Sequence, residues 1–319
     1  MPCYHPLTAY QRPAGGPLLF GLMPTGGRQL SVPCGRCVGC RLEYSRQWGV
    51  RCMHEAKMHD ENSFLTLTYN DDSVPADLGL CPKHFTDFFK RLRERERYRW
   101  CGAAEFGPPR FVWRDFRYFM CGEYGELNSR PHYHCALFGF YPSDAVFYKT
   151  AASGFPVYTS KFLRDLWGHG EVYVGQLTFE SAAYVARYVM KKVGSDGERR
   201  EIWDLTTGEI ITRPHEFCRM SRRPGIGSSF VAKYGRDIFM NDRVVTNGHA
   251  AVLPRFYDSL MERHSPLLLA EHKAQRRFRN EVREQRVAEL HPELAIGSRK
   301  RLLVEEKVKL ASIQSLRRE

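Results

Sequence analysis

The sequence has no stretch approaching the ~18 consecutive apolar residues that a membrane-spanning helix requires, and its mean hydropathy is −0.46. Its opening residues, MPCYHPLTAY, lack the basic-then-apolar layout of a secretion signal. The expectation is a soluble protein that acts inside a cell and does not engage a membrane. No G-x-x-x-x-G-K-[ST] string is present, which excludes a P-loop ATPase or helicase domain. No H-E-x-x-H is present either, so zincin-type hydrolysis is excluded, and no internal repeat points to a solenoid.

What the sequence does have is basic charge. Lys and Arg number 48 against 36 Asp and Glu, a formal net charge of +12 in 319 residues. Such a balance points to a polyanionic partner, of which nucleic acid is the commonest. Charge alone does not separate a DNA enzyme from a packaging protein. With 43% hydrophobic residues a packed core is expected. Ten cysteines in a chain without a secretion signal read as thiols or metal ligands rather than a disulfide frame.

Along the chain, a Cys-rich N-terminal segment and helix are expected over residues 1–59, a mixed strand-and-helix core over 60–235 and a basic helical region over 236–319. Arg41 to Met58 reads as a helix interrupted only by Gly49. SFLTLTY alternates Leu65, Leu67 and Tyr69 against Phe64, Thr66 and Thr68, the period of a strand. Phe85, Phe88, Phe89 and Leu92 follow Pro82 at helical spacing. FRYFMCGEYG and HYHCALFGF read as an antiparallel hairpin, and EVYVGQLT as another strand. Residues 160–167 and 179–193 read as helices, and a hairpin spans REIWDL and EIITRP.

The most informative string is PHYHCALFG. On a strand, residues two apart face one side, so His132 and His134 present two imidazoles together while Tyr133 points into the opposite layer. Two neighbouring imidazoles suit a divalent metal. Alone, H-x-H also arises as two surface histidines by chance. The H-x-H-x-D-H hydrolase pattern fails, because Ala136 and Leu137 stand where Asp and His are needed. An acid from the neighbouring strand is the expected third ligand: Glu123, with Glu126 as the fallback.

The second string is YVARYVMKK. Four residues on a helix advance ~6 Å and turn by ~40°, so Tyr184 and Tyr188 share a face, with Lys191 and Lys192 extending near it. A phenol is a poor nucleophile at neutral pH, but a nearby metal and ammonium groups favour phenolate. The chemistry this suits is phosphodiester transesterification. A packing role for both rings is the commoner meaning of Y-x-x-x-Y alone.

Cys34, Cys37 and Cys40 form C-x-x-C-x-x-C, for which a structural zinc site is the hypothesis. Cys3, His5 and Cys52 are candidates for the fourth ligand, Cys3 first among them. An iron–sulfur run needs a cysteine where Tyr44 stands. Cys101, Cys121 and Cys135 read as small buried hydrophobes.

Together, FLTLTY, GEYG…RPHYHCALFG and YVARYVMKK resemble, in chain order, the three motifs of HUH-type rolling-circle replication initiators. The paired tyrosines resemble those of microvirus-family single-stranded DNA phages. CGRCVGCR…W and MSRRPGIG make the gokushovirus-like branch the nearest resemblance, over roughly residues 1–235. The resemblance implies an α+β HUH endonuclease fold: a central five-stranded antiparallel sheet flanked by helices, here with a helical C-terminal appendage. It implies His132 and His134 as ligands of Mg²⁺ or Mn²⁺, Tyr184 and Tyr188 as nucleophiles, and Lys191 as the lysine of Y-x-x-K. Tyr184 is followed by Arg187 instead, and Tyr188 is the expected first nucleophile. Lys192, Arg187, Arg222 and Arg223 are the expected DNA contacts, the last two on a Gly-containing loop where backbone can approach phosphates. A host helicase and polymerase are the implied partners, in the cytoplasm of an infected bacterium. A plasmid relaxase or transposase with the same chemistry, or a non-catalytic nucleic-acid-binding zinc protein, are the alternative readings.

Overall fold

A computed structural model describes residues 3–96, 98–100, 111–113, 116–125, 129–151, 154–192, 200–203, 208–246, 248–290 and 299–315. It divides into two compact units, one of Met1–Ser45 with Asp258–Glu319, the other of Arg46–Tyr257. Among the described residues no helix is long and apolar enough to cross a membrane.

The chain opens with β1 (Leu7–Gln11) and β2 (Arg28–Val32), an antiparallel pair, and enters α1 (Val38–Ala56). Then come β3 (Asn62–Thr68), α2 (Pro82–Arg95), the short pair β4 (Tyr98–Trp100) and β5 (Phe111–Trp113), β6 (Arg117–Tyr124) and β7 (Pro131–Phe138). Next are β8 (Val146–Thr150), β9 (Pro156–Thr159), α3 (Lys161–Trp167), β10 (Val172–Gly175) and α4 (Phe179–Lys192). β11 (Arg200–Trp203), β12 (Ile210–Arg213), β13 (Phe217–Met220), α5 (Ser228–Asn241), β14 (Val244–Thr246) and β15 (His249–Ala251) follow. The last elements are α6 (Arg255–His264), α7 (Pro266–Leu290) and α8 (Arg299–Ser315), so the described chain beyond Arg255 is helical, as its sequence implied.

The fold is α+β, but its main sheet has seven strands in the order β13-β6-β7-β3-β10-β9-β8, not the five expected. All of its pairings are antiparallel. Strands β8, β9 and β13 of this sheet were not read from the sequence, and β8 gave no periodic signal because every one of its residues is exposed. A strand without a buried face writes no alternation into its sequence. REIWDL and EIITRP do pair, as β11 with β12, but in a separate two-stranded sheet.

The two faces of the main sheet are built from the alternation read in β3. Leu65 and Leu67 are fully buried, and they join Tyr133, Cys135 and Leu137 of β7 in the principal core. α2 and α3 belong to this layer. Pro82 starts α2 in its first turn, and Phe85, Phe88, Phe89 and Leu92 are all buried. Each such side chain contributes roughly 1.5–3 kcal/mol by leaving water. Ser160 caps α3 by accepting from the Leu163 N–H at 3.1 Å. Tyr133 is fully buried, with its hydroxyl donating to the Cys81 carbonyl at 2.8 Å.

The opposite face carries Phe119, Cys121 and Glu123 of β6 beside Ala136, His134 and His132 of β7, paired in that order. α4 packs across β13, β6 and β7 on this side, with Ala182, Ala183, Val185 and Ala186 buried. From α1, Trp48 stacks on Phe119 with ring centroids 4.4 Å apart. Gly49 admits the Phe179 ring, which a Cβ there would meet at 2.7 Å.

Candidate metal and tyrosine site

The antiparallel register of β6 and β7 sets Glu123 directly opposite His132. One pair further along, His134 faces the same side, and both imidazoles converge on one carboxylate. Glu123 Oε1 lies 2.8 Å from His132 Nε2 and 2.9 Å from His134 Nε2. The imidazole rings stand nearly perpendicular, with centroids 5.0 Å apart.

Neighbouring groups fix each ring. His132 Nδ1 donates to the Arg130 carbonyl at 3.1 Å. His134 Nδ1 meets Thr66 Oγ1 at 3.0 Å, and Phe64 stacks on the same ring. With each Nδ1 occupied, each Nε2 is directed at Glu123. This is how outer groups orient metal-binding histidines. In the sequence Thr66 is one residue of the FLTLTY alternation with no role of its own, and the sheet places it directly opposite His134.

The charges reflect a buried acid between two bases. Burial pushes Glu123 up, but the hydrogen bonds and charges of His132 and His134 outweigh it and hold the carboxyl below its usual range. For His132, burial pulls down and Glu123 overcomes it, lifting the imidazole above its usual value. His134 is more deeply buried, and there burial wins over Glu123 and lowers it.

Tyr184 reaches this group from α4. Its hydroxyl donates to Glu123 Oε1 at 3.3 Å, and its ring packs edge-on against His134 with centroids 5.3 Å apart. Tyr188, Arg187, Lys191 and Lys192 continue the backbone of α4, but their side chains lie outside the described residues, as does Glu126 altogether.

The donor set fits a divalent cation. Two imidazole Nε2 atoms and a carboxylate oxygen lie within 4.8 Å of one another. Glu123 Oε2 is buried with no hydrogen-bond partner among the described residues. A buried, charged oxygen left without a partner is costly, and a cation at this group satisfies it.

A second group forms in the other unit. Cys3 joins Cys34, Cys37 and Cys40, with all four sulfurs within 4.8 Å of one another. The Cys37 and Arg36 N–H groups donate to Cys34 Sγ at 3.3 and 3.4 Å. The Cys34 N–H donates to Cys3 Sγ at 3.3 Å, and the Tyr4 N–H to Cys37 Sγ at 3.4 Å. Burial raises the Cys37 thiol, yet hydrogen bonds from the Cys40 and Tyr4 backbone and from the Cys40 and Cys34 side chains outweigh it and bring it down to about 7. His5 instead meets Glu306 at 2.6 Å, and Cys52 is buried within α1. Cys121 and Cys135 are buried as expected, and Cys101 lies outside the described residues.

MSRRPGIG exposes Arg222 and Arg223 on a turn held from below. The buried pair Glu55 and Arg117, 3.0 Å apart, anchors it. Glu55 Oε2 accepts from the Gly227 N–H at 2.6 Å, and Arg117 donates to the Pro224 carbonyl. The two glycines serve the chain's own packing. A Cβ at Gly225 would strike the Phe256 ring at 2.6 Å, and one at Gly227 the Tyr257 hydroxyl at 2.5 Å. Neither Glu55 nor Arg117 gave a sequence signal, since they are distant in the chain and form no motif.

The fold and this site define an α+β protein whose antiparallel sheet carries a Glu–His–His group facing a helix tyrosine. Residues 62–193 match the family described as replication-associated protein ORF2/G2P. Replication-associated protein VP4 of Bdellovibrio phage phiMH2K is 35% identical over 237 residues, 74% of this chain and 69% of the relative. Replication-associated protein ORF2 of Spiroplasma virus 4 is 33% identical over 242 residues, 73% of this chain and 68% of the relative. Replication-associated protein ORF4 of Chlamydia phage 1 is 29% identical over 238 residues, 73% and 54% of the two chains. No solved structure matches. The chain belongs to this family of phage replication-associated proteins, in line with its resemblance to microvirus rolling-circle initiators.

Proposed function

We propose that this chain is the replication initiator endonuclease of a small single-stranded DNA phage, cutting one strand at the origin through a tyrosine. What supports the reading is the meeting of Glu123, His132 and His134 with the Tyr184 hydroxyl at one carboxylate oxygen. The phenol oxygen bonds to phosphorus, the P–O3′ bond breaks, and the departing oxygen takes up a proton as a 3′ hydroxyl. The chain stays attached through a 5′ phosphotyrosine. The bond energy is retained in the linkage, so rejoining needs no ATP.

Each residue has a part in this scheme. Glu123 Oε1 accepts the Tyr184 hydrogen bond and so positions the phenol oxygen beside the Glu–His–His group. Thr66 and the Arg130 carbonyl keep the imidazoles aimed. Bound Mg²⁺ or Mn²⁺ at Glu123, His132 and His134 supplies Lewis-acid stabilisation of phosphate oxygens. Tyr188 is the partner nucleophile one turn along α4, so the displaced strand can be cut and rejoined while the first end is held; the sequence expects it to cut first. Lys191 offsets charge developing on the phosphate. Lys192, Arg187, Arg222 and Arg223 hold flanking phosphates. A host helicase unwinds, a host polymerase extends the 3′ hydroxyl, and both act in the bacterial cytoplasm.

The four-cysteine group takes Zn²⁺ as a structural ion. Four sulfurs suit closed tetrahedral zinc, and the backbone N–H groups aimed at three of them stabilise thiolates. Protein purified without added metal carries one zinc per chain by elemental analysis; a substoichiometric trace overturns this assignment.

The cleavage reading is tested with single-stranded origin DNA and Mn²⁺, followed by denaturing electrophoresis. A shifted protein–DNA band is expected, and replacing both Tyr184 and Tyr188 by Phe removes it. A band that persists in the double variant refutes the nucleophile assignment. Salt-sensitive binding without any band supports a binding protein instead.

A further inference from the structure

One row of directly opposed residues leads away from the site across the main sheet: His134, Thr66, Tyr173, Thr159 and Val146. Directly opposed residues on neighbouring strands point to the same face. Tyr173 therefore lies on the face of the Glu–His–His group. Two strand spacings separate it from His134, ~10 Å across the sheet.

Tyr148 joins it from the edge strand. The β8–β9 pairing is irregular between Phe147 and Lys149, and a bulge of this kind re-aims a side chain. Phe147 packs on Tyr158 with centroids 6.1 Å apart. Tyr148 turns instead toward Tyr173, with centroids 5.5 Å apart and planes 35° from parallel. Thr159 stands between them in the row, and its short side chain does not keep the rings apart. Lys149 Nζ lies 5.4 Å from the Tyr148 ring centre.

The two halves of this face differ in cover. α4 packs over β13, β6 and β7. On the other half Tyr148 is 52% exposed, and Tyr173, Thr66 and Thr68 are only half-buried. One exposed and one half-buried phenol ring, in contact and with a lysine alongside, form the kind of surface on which unpaired bases stack.

We infer that Tyr173 and Tyr148 form a stacking platform for unpaired bases of a single DNA strand, laid across β3, β10, β9 and β8 with one phosphate at the Glu–His–His group. The identity of the strand rests on the cleavage reading above. Single-stranded DNA is the favoured occupant because the platform is continuous with the phosphate site along one row and the chain carries a net charge of +12. A duplex keeps its base faces stacked on each other and offers none to these rings.

The test uses the full chain and two fluorescein-labelled oligothymidylates. One covers only the Glu–His–His group, and the other is long enough to reach β8. Wild type binds the longer strand more tightly. Tyr148→Ala with Tyr173→Ala abolishes that gain, weakening the longer strand roughly tenfold or more, while Tyr148→Phe with Tyr173→Phe retains it. Equal affinity of wild type and the alanine pair for the longer strand overturns the platform. So does a fall from dimer to monomer in the alanine pair, since the surface is then a contact between copies.

Crosslinking of a bromodeoxyuridine-substituted strand to wild type needs no variant. Adducts at Tyr148 or Tyr173 are expected, and adducts confined to other peptides refute the proposal. Binding and crosslinking need no cleavage. If they hold while wild type forms no covalent band with origin DNA, the cleavage reading fails and the platform stands. If the band forms but length adds no affinity, the reverse is true.

Discussion

The chain builds two clusters of metal-ligand side chains in two different ways. Cys3, Cys34, Cys37 and Cys40 bring four sulfurs together with backbone N–H groups closing around them. Glu123, His132 and His134 bring only three ligands, on rigid strands, with a second carboxylate oxygen left without a hydrogen-bond partner among the described residues and a tyrosine hydroxyl at the first. A closed set of four is how a protein holds a metal for structure, and an incomplete set beside a nucleophile is how it holds one for chemistry. The cysteines come together where the chain turns tightly and the histidines by strand register, so local turns shape the first cluster and the sheet shapes the second.

The largest expected effect breaks the first cluster alone. Cys34→Ser with Cys37→Ser removes zinc, and with it binding energy of roughly 10–16 kcal/mol that structural sites contribute to folding. Limited proteolysis is expected to release the segment before Ser45 while the residues from Arg46 to Tyr257 stay protected. Equal protection in both regions contradicts the contrast.

A smaller effect concerns a buried acid that has no metal role. Glu55 is pushed up by burial but held below its usual range by His59, the Gly227 N–H and Arg117. A depressed folded value means its stabilisation is present above the unfolded carboxyl value and is lost as pH falls through the folded one. Glu55→Gln strands Arg117 and costs about 3–5 kcal/mol at neutral pH. Urea midpoints at neutral and acid pH check this: the wild type loses its advantage over the variant on acidification.

Thr66→Val keeps the strand but removes the oxygen beside His134 Nδ1. Mn²⁺ affinity by calorimetry is expected to fall about 10- to 100-fold with thermal stability little changed. An unchanged affinity means the sheet alone aims the ring. Smallest is Arg222→Ala with Arg223→Ala. Each is expected to lower the salt slope of DNA binding by about 1 without changing cation affinity.

The legible parts of the fold were those with a buried face. Leu65 and Leu67 alternate with half-buried neighbours, and α2 repeats phenylalanine every third or fourth residue, because each element hides one side. The β8–β9 hairpin hides neither side of β8, so its sequence carries no alternation to read. The Glu123, His132 and His134 grouping was readable since a hairpin register follows from two strands and a short link. Cys3 was within reach of sequence reasoning as a fourth sulfur for C-x-x-C-x-x-C, whereas Thr66 needed the tertiary fold, for nothing in local sequence says which distant residue meets a ring nitrogen. The glycines of MSRRPGIG have a packing reason that local sequence does not announce. A Cβ at Gly225 or Gly227 would meet Phe256 or Tyr257, residues of a later segment of the chain.

The central claim is that a phenol on α4 attacks a phosphate at the Glu–His–His group. Mass spectrometry of tryptic peptides from wild-type protein, after reaction with a short origin strand and Mn²⁺ and nuclease trimming, tests it most directly. The account predicts a nucleotide-phosphate mass on the peptide holding Tyr184 and Tyr188, absent from a His132→Ala/His134→Ala variant. A nucleotide attached to any other peptide, or attachment that survives loss of both histidines, contradicts it.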